Sequence, residues 1–241
     1  SGKTTFLDVI DLLGDLTRSR GDVAEVIARR SSTFEKLVWL GEGDSFQLAV
    51  EAKIPEEVRS RMYEDVQKFT HVRYQIEIGF DRDINEIGVN HETLFLITPA
   101  IISLPQRDLF PQSSGKSESL LITSKQGIKT AINKKSGGND NYYPEGRRSY
   151  TPSFRAGRTR TALSNVPADR EVFPVSTWFK EFLADGIQSI VLNSHVMKQP
   201  SPPGLGMEFE TKGANLPWVI ENLRKNKEVF NEWLEHVRTA L

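Results

Sequence analysis

Residues 4 to about 16 carry Phe6, Leu7, Ile10 and Leu13 at helical spacing, with Asp8, Asp11 and Asp15 between them, and predict an amphipathic helix. Gly21 breaks the pattern. A second short helix is expected from Asp22 to about Arg30, with Val23 and Ile27 on one face and a basic end that suits the helix dipole. The period then changes from helical to alternating. In SFQLAVEAKI (Ser45 to Ile54), Phe46, Leu48, Val50, Ala52 and Ile54 point one way, while Gln47, Glu51 and Lys53 point the other. RYQIEIGF (Arg73 to Phe80) repeats this with Tyr74, Ile76, Ile78 and Phe80. ETLFLIT, SLLITS and GIKTAINKK are further strand candidates, the last running into the turn-rich SGGNDNYYPEG. Strands in succession without long helices between them predict an antiparallel sheet joined by hairpins.

From Val175 the pattern is helical again, with Trp178, Phe179, Phe182 and Leu183, and the strand-like IQSIVLN (Ile187 to Asn193) follows. QPSPPGLG (Gln199 to Gly206) reads as a loop. GANLPWVIENL leads to a last helix whose stripe, Phe230, Trp233, Leu234, Val237 and Leu241, falls at i, i+3, i+4, i+7 and i+11. In this segment Gly213 is expected to permit a turn, Asn215 to cap a helix and Pro217 to lie in its first turn. The stripe reaches the final residue and there is no initiator Met, so the chain reads as a segment of a longer protein.

Composition narrows the picture by exclusion. The 241 residues are 38% hydrophobic and 26% charged, enough apolar material for a core and too much for a wholly disordered chain. A net charge of -1 gives no global argument for nucleic acid or membrane. No cysteine is present, which excludes disulfides and cysteine-ligated zinc and suits a cytoplasmic location. No apolar run approaches the roughly 20 residues that span a bilayer. His71, His91, His195 and His236 lack metal-ligand spacing.

Two stretches carry candidate chemistry. The first is the opening SGKTT, Ser1 to Thr5, which matches the tail of a phosphate-binding loop, G-x-x-x-x-G-K-[ST], whose first glycine would lie upstream. An amphipathic helix starts at once, as that chemistry requires. Lys3 would reach the β- and γ-phosphates, the Thr4 hydroxyl would hold Mg²⁺ and Thr5 would lie near the α-phosphate. Amides around Gly2 to Thr5 would face the phosphates at the positive helix end, and Gly2 would allow close backbone approach. The competing reading is an ordinary helix start with Ser or Thr as cap. The second stretch, Lys129 to Arg160, holds eight basic residues against Asp140 and Glu145, a local balance of 8 minus 2, or +6, with Tyr142, Tyr143, Tyr150 and Phe154 interleaved. Lys134, Lys135, Arg147, Arg148, Arg155, Arg158 and Arg160 are its candidate contacts to nucleic acid or a protein partner. A long solvated hairpin has the same composition.

The segments SGKTT and GANLP, in this order, with IVLNSHVMKQPSPP and the alternating middle of the chain, resemble the RecF/SMC-like ATP-binding proteins of the ABC ATPase class. That class includes OLD-type ATPases and many bacterial anti-phage ATPase subunits. The resemblance spans Ser1 to Leu241 and implies a single P-loop NTPase lobe of ABC type. Its parts would be a P-loop helix over 1–30, an antiparallel β-subdomain over about 34–165 with a basic insertion at 129–160, and a helical part from about 172 to 241. It implies ATP binding and hydrolysis with Mg²⁺, and self-association through the ATPase head with nucleotide between two copies. It also implies work as a sensor or assembly subunit in anti-phage defence or DNA transactions, coupled to an effector such as a nuclease. In that frame Gln199 is the candidate Q-loop residue touching Mg²⁺, and His195 a candidate γ-phosphate sensor; a solvated Gln and a structural His are the competing readings. The class also needs a signature motif, an Asp-Glu pair ending a Walker B strand and a switch His. None is visible, since IQSIVLNSH ends in Asn193, Ser194 and His195, so no catalytic residue is assigned. The rival reading is a non-catalytic module that docks a protein effector or DNA through its sheet and basic insertion.

Overall fold

A computed structural model of the chain describes residues 2–18, 22–38, 41, 43–99, 119–123, 126–147, 150–187 and 190–240. The chain divides into two compact units, residues 1–187 and 188–241.

The first unit begins with α1 (Gly2–Arg18), two residues ahead of the expected start, and α2 (Val23–Ala28), whose N-cap Asp22 accepts from the Ala24 amide. Six strands follow: β1 (Ser45–Lys53), β2 (His71–Asp81), β3 (Glu86–Ile97), β4 (Ile128–Lys135), β5 (Asp140–Tyr142) and β6 (Ser153–Phe154). They form one sheet in the order β1-β2-β3-β4-β5-β6, with every neighbouring pair antiparallel. The class is therefore mixed α and β with an antiparallel sheet. Short helix α3 (Glu56–Arg59) lies between β1 and β2, so only some joints are the expected hairpins. The turn after β2 uses Asn85 at φ 52°, and the turn after β4 uses Gly137 at φ 76°. Helix α4 (Pro174–Ala184) closes the unit and carries Phe179 and Leu183 into the core.

One sheet face presents Val72, Tyr74, Ile76, Ile78, Leu94, Leu96 and Ile132 to a core shared with Leu12, Leu13 and Leu16 of α1, Val23, Val26 and Ile27 of α2, and Phe179 of α4. The register places Val72 opposite Leu96 and Tyr74 opposite Leu94, so both strands bury the same face. The other face carries Phe95, Ile97 and Ile128, packed against Ile122. Ile122 belongs to SLLITS, which was expected to be a strand. Its described residues, 119–123, are not one. They lie along the sheet, held by side chains in place of a ladder. Gln47 accepts from the Leu120 amide and Gln75 both accepts from and donates to Ile122, while Arg73 donates to the Leu120 carbonyl at 2.7 Å. Gln75 is buried for this reason.

The second unit holds α5 (Ser194–Met197), α6 (Leu216–Leu223) and α7 (Lys227–Ala240). Among the described residues of 187–193 there is no strand, against expectation. Only the Val191 and Asn193 amides pair, with the Thr211 and Lys212 carbonyls, and Ile190, Val191 and Leu192 stay exposed. On α7, Phe230 stacks on Trp233 with ring centroids 5.7 Å apart. Gly213 takes φ 76°, as its turn role requires, and a Cβ there would meet Met197 at 2.9 Å. Asn215 sits at the start of α6, but its side chain does not cap that helix. Fully buried, it accepts from the Glu210 amide and donates to the carbonyls of Gly206 and Glu208, pinning the loop before it. Among the described residues no helix is long and apolar enough to cross a membrane.

Candidate functional site

Helix α1 starts at Gly2, which puts Lys3, Thr4 and Thr5 in its first turn, and that turn holds no acidic residue. The first amides of a helix have no partner within it and carry the positive end of its dipole. The helix start is therefore electropositive. Ser1 lies outside the described residues.

The far half of α1 is clamped. Leu12, Leu13 and Leu16 are buried, and Gly14 passes so close to α4 that a Cβ there would lie 2.8 Å from the Leu183 carbonyl oxygen. Arg18 Nε donates to the Ala184 carbonyl at the end of α4. Thr161 Oγ1 donates to the Leu16 carbonyl at 3.3 Å. Asp15 joins Arg18 and Arg30 at 2.8 Å each, and Arg30 reaches Asp8 at 3.5 Å. The opening turn is thus carried on a helix whose other end is fixed to three segments.

The basic residues of 129–160 are divided: Lys134, Lys135, Arg155 and Arg158 line one cavity, and Arg147 lines another. Lys134 is paired with Asp140 at 2.6 Å, and their side chains are 2% and 0% exposed. Such a pair is structural, because removing one partner leaves a buried charge at a cost of about 3–5 kcal/mol. The Asp140 carboxylate thereby neutralises Lys134. Arg158 is tied to Asp81 at 2.8 Å and to Asn90 at 3.0 Å. Lys135 and Arg155 line a cavity of about 180 Å³ together with Lys134, Arg158 and Asp81, across the Ser136–Gly138 turn. Arg160 is exposed, Arg148 lies outside the described residues, and Arg147 opens into a separate cleft.

Gln199 and His195 belong to the second unit, and both are exposed. The Gln199 amide donates to the Val196 carbonyl in the turn after α5, and the His195 amide donates to the Asn193 cap. In the first unit His71 and His91 are bound to Thr70 and Thr93, and burial followed by the Lys135 charge lowers the His91 pKa. Among the described residues no group of His, Asp and Glu could hold a metal ion.

Sequence reasoning passed over two buried carboxylates. Glu92 on β3 accepts from the Tyr74 hydroxyl at 2.9 Å and from the Ala162 and Leu163 amides at 2.6 and 2.8 Å. Burial raises its pKa against those three donors and the Lys134 charge. Glu145 accepts from the Val175 and Ser176 amides at 2.7 and 3.0 Å, and from the Ser176 hydroxyl. Burial pushes its pKa up to about 7, against the pull of these hydrogen bonds and of Lys129. Each carboxylate does from a distance what a cap residue does locally: it satisfies the free amides at a helical start. A Glu inside the apolar run of β3 is a readable signal for Glu92. Glu145 carries none, since it looks like one acid in a basic loop.

Comparison of this chain with family models, curated proteins and solved structures gives no match.

Proposed function

We propose that the chain is the N-terminal lobe of a P-loop ATPase of the ABC class, binding ATP with Mg²⁺ at the start of α1. The observation that carries this reading is the coincidence of GKTT with the first turn of a helix free of acidic residues and clamped at its other end. An antiparallel sheet beside that helix suits the resemblance seen in the sequence. In this reading the α1 amides and Lys3 bind the phosphates and Thr4 holds Mg²⁺, which would supply charge stabilisation for phosphoryl transfer to water. No residue of the chain is assigned as the general base. Self-association through the head, with an effector and a role in anti-phage defence, follows from the same resemblance. The docking-module alternative is weakened where it relied on Lys134 and Arg158, both held in internal ion pairs.

The test is nucleotide titration by calorimetry on the natural-length protein. Lys3→Ala is expected to weaken ATP binding about 10- to 100-fold, the worth of one charge-assisted hydrogen bond. Unchanged affinity refutes the assignment.

A further inference from the structure

An arginine-lined cleft of about 620 Å³ opens between residues that are distant in sequence: Ser60, Arg61, Arg147, Arg170 and Glu171. Its frame is backbone. Met62 bridges Gly146, the Tyr63 amide donates to the Glu145 carbonyl at 3.0 Å, and the Glu145 and Gly146 amides both donate to the Val172 carbonyl, at 2.9 and 3.0 Å. Met62, Glu145, Gly146 and Val172 are buried. Gly146 has no room for a side chain, since a Cβ would lie 1.9 Å from the Glu171 carbonyl oxygen. Three chain segments are therefore locked together, and each sends an arginine outward within two residues of the lock.

The electrostatics of the cleft call for an anion. Arg61 and Arg147 have no ion-pair partner among the described residues, and only Arg170 is engaged, with Glu181 at 2.6 Å. Among the described lining residues, three arginines stand against one carboxylate, Glu171. A guanidinium presents its donors in a planar fork that matches phosphate oxygens, and it stays charged at any working pH. The volume exceeds what one inorganic phosphate needs and lies within the range of ligand sites. Among the described residues the lining holds no aromatic or aliphatic side chain on which a base could stack or be read. A site of this kind recognises the phosphates of a strand and ignores its sequence.

We propose that this cleft binds the phosphodiester backbone of a nucleic acid through Arg61, Arg147 and Arg170. The inference stands on the cleft alone and is independent of the assignment of α1. The experiment is fluorescence anisotropy of a labelled single-stranded DNA of about 20 nucleotides with the natural-length protein, across a salt series. Binding is expected to weaken with log salt at a slope of about -2, from three contacts of about -0.7 each. Each of Arg61→Ala, Arg147→Ala and Arg170→Ala should lower that slope by about 0.7, and the triple variant should bind at least about 10-fold more weakly at moderate salt. Lys53→Ala, an equal charge change at an exposed site on β1, should alter neither quantity. Unchanged ATP affinity in the triple variant supports a site distinct from α1. The proposal is overturned if the wild-type protein does not bind the strand, or if the triple variant keeps the wild-type affinity and slope. Full displacement of the strand by a mononucleotide at equal phosphate concentration also overturns it, assigning the cleft to a free nucleotide.

Discussion

Glu145→Gln tests the electrostatics of the buried carboxylate most directly. The Glu145 carboxyl is fully buried and receives three hydrogen bonds from the first turn of α4, one of them from the Ser176 hydroxyl. Two effects oppose each other there: the donors favour the anion, and desolvation favours the neutral acid. Desolvation wins, moving the pKa from its ordinary 4.5 to about 7. A raised folded-state pKa means that the folded chain holds its proton more tightly than the unfolded chain. The contribution to stability is full below pH 4.5, is lost as pH rises through the window up to about 7, and is gone above it. A gap of about 2.5 pH units corresponds to about 3 kcal/mol. Glutamine keeps the shape, offers a carbonyl to the two amides and an amide to the Ser176 oxygen, and does not titrate. The stability difference between variant and wild type should therefore move by about 3 kcal/mol in favour of Gln between pH 4.5 and pH 8. Urea denaturation followed by tryptophan fluorescence reads this, since Trp178 stacks on Phe182 within α4. All other titrating groups cancel in the difference. A difference that stays flat with pH, or moves toward Glu, would show that the three donors outweigh burial and would refute the reasoning.

Two further outcomes follow from the same core. Gly146→Ala places a methyl 1.9 Å from a backbone oxygen that cannot step aside, and should lower the unfolding free energy by about 3 kcal/mol or more in urea titration; a loss below about 1 kcal/mol would show that the junction yields. Tyr74→Phe removes one of the donors to Glu92, raising the Glu92 pKa further and costing about 1–2 kcal/mol; an unchanged urea midpoint would show that the hydroxyl contributes nothing.

Much of this arrangement is visible in the pattern of side chains. The alternation in β2 and the apolar stripe of α4 report burial directly, because one face of each meets the core. On α1 the expected stripe holds, among the described side chains, only at Leu13: Leu7 is exposed and Ile10 half-buried, while Leu12 and Leu16 take the core positions. Pattern fails where side chains replace backbone as the partner. SLLITS has the composition of a strand, yet Gln47, Gln75 and Arg73 bind its backbone, and none of them signals this role in advance. Strand β5 fails in the opposite sense. Asp140 and Asn141 disfavour strands, and the segment is held because Asp140 meets Lys134 in the interior. The candidate site shows the same division. That GKTT opens a helix is legible because a helix start is a local signal. The arginine cleft is not, since Arg61, Arg147 and Arg170 are brought together only by backbone contacts among three segments.

The two buried glutamates join these parts into one frame. Glu92 ties β3 to the amides of Ala162 and Leu163, and the preceding Thr161 donates to Leu16 of α1. Glu145 fixes the start of α4, while the end of α4 is held by Arg18 of α1. Helix α1 is thus reached from the sheet by one route and from the Gly146 junction by another, and both routes pass through a carboxylate with a raised pKa. A carboxylate used only for packing could be exchanged for an apolar group of equal volume at little cost. These two cannot, because each satisfies amides at a helical start that nothing else among the described residues reaches. Their burial is the consequence of holding α1 and α4 against the sheet, and the geometry of both candidate sites depends on it.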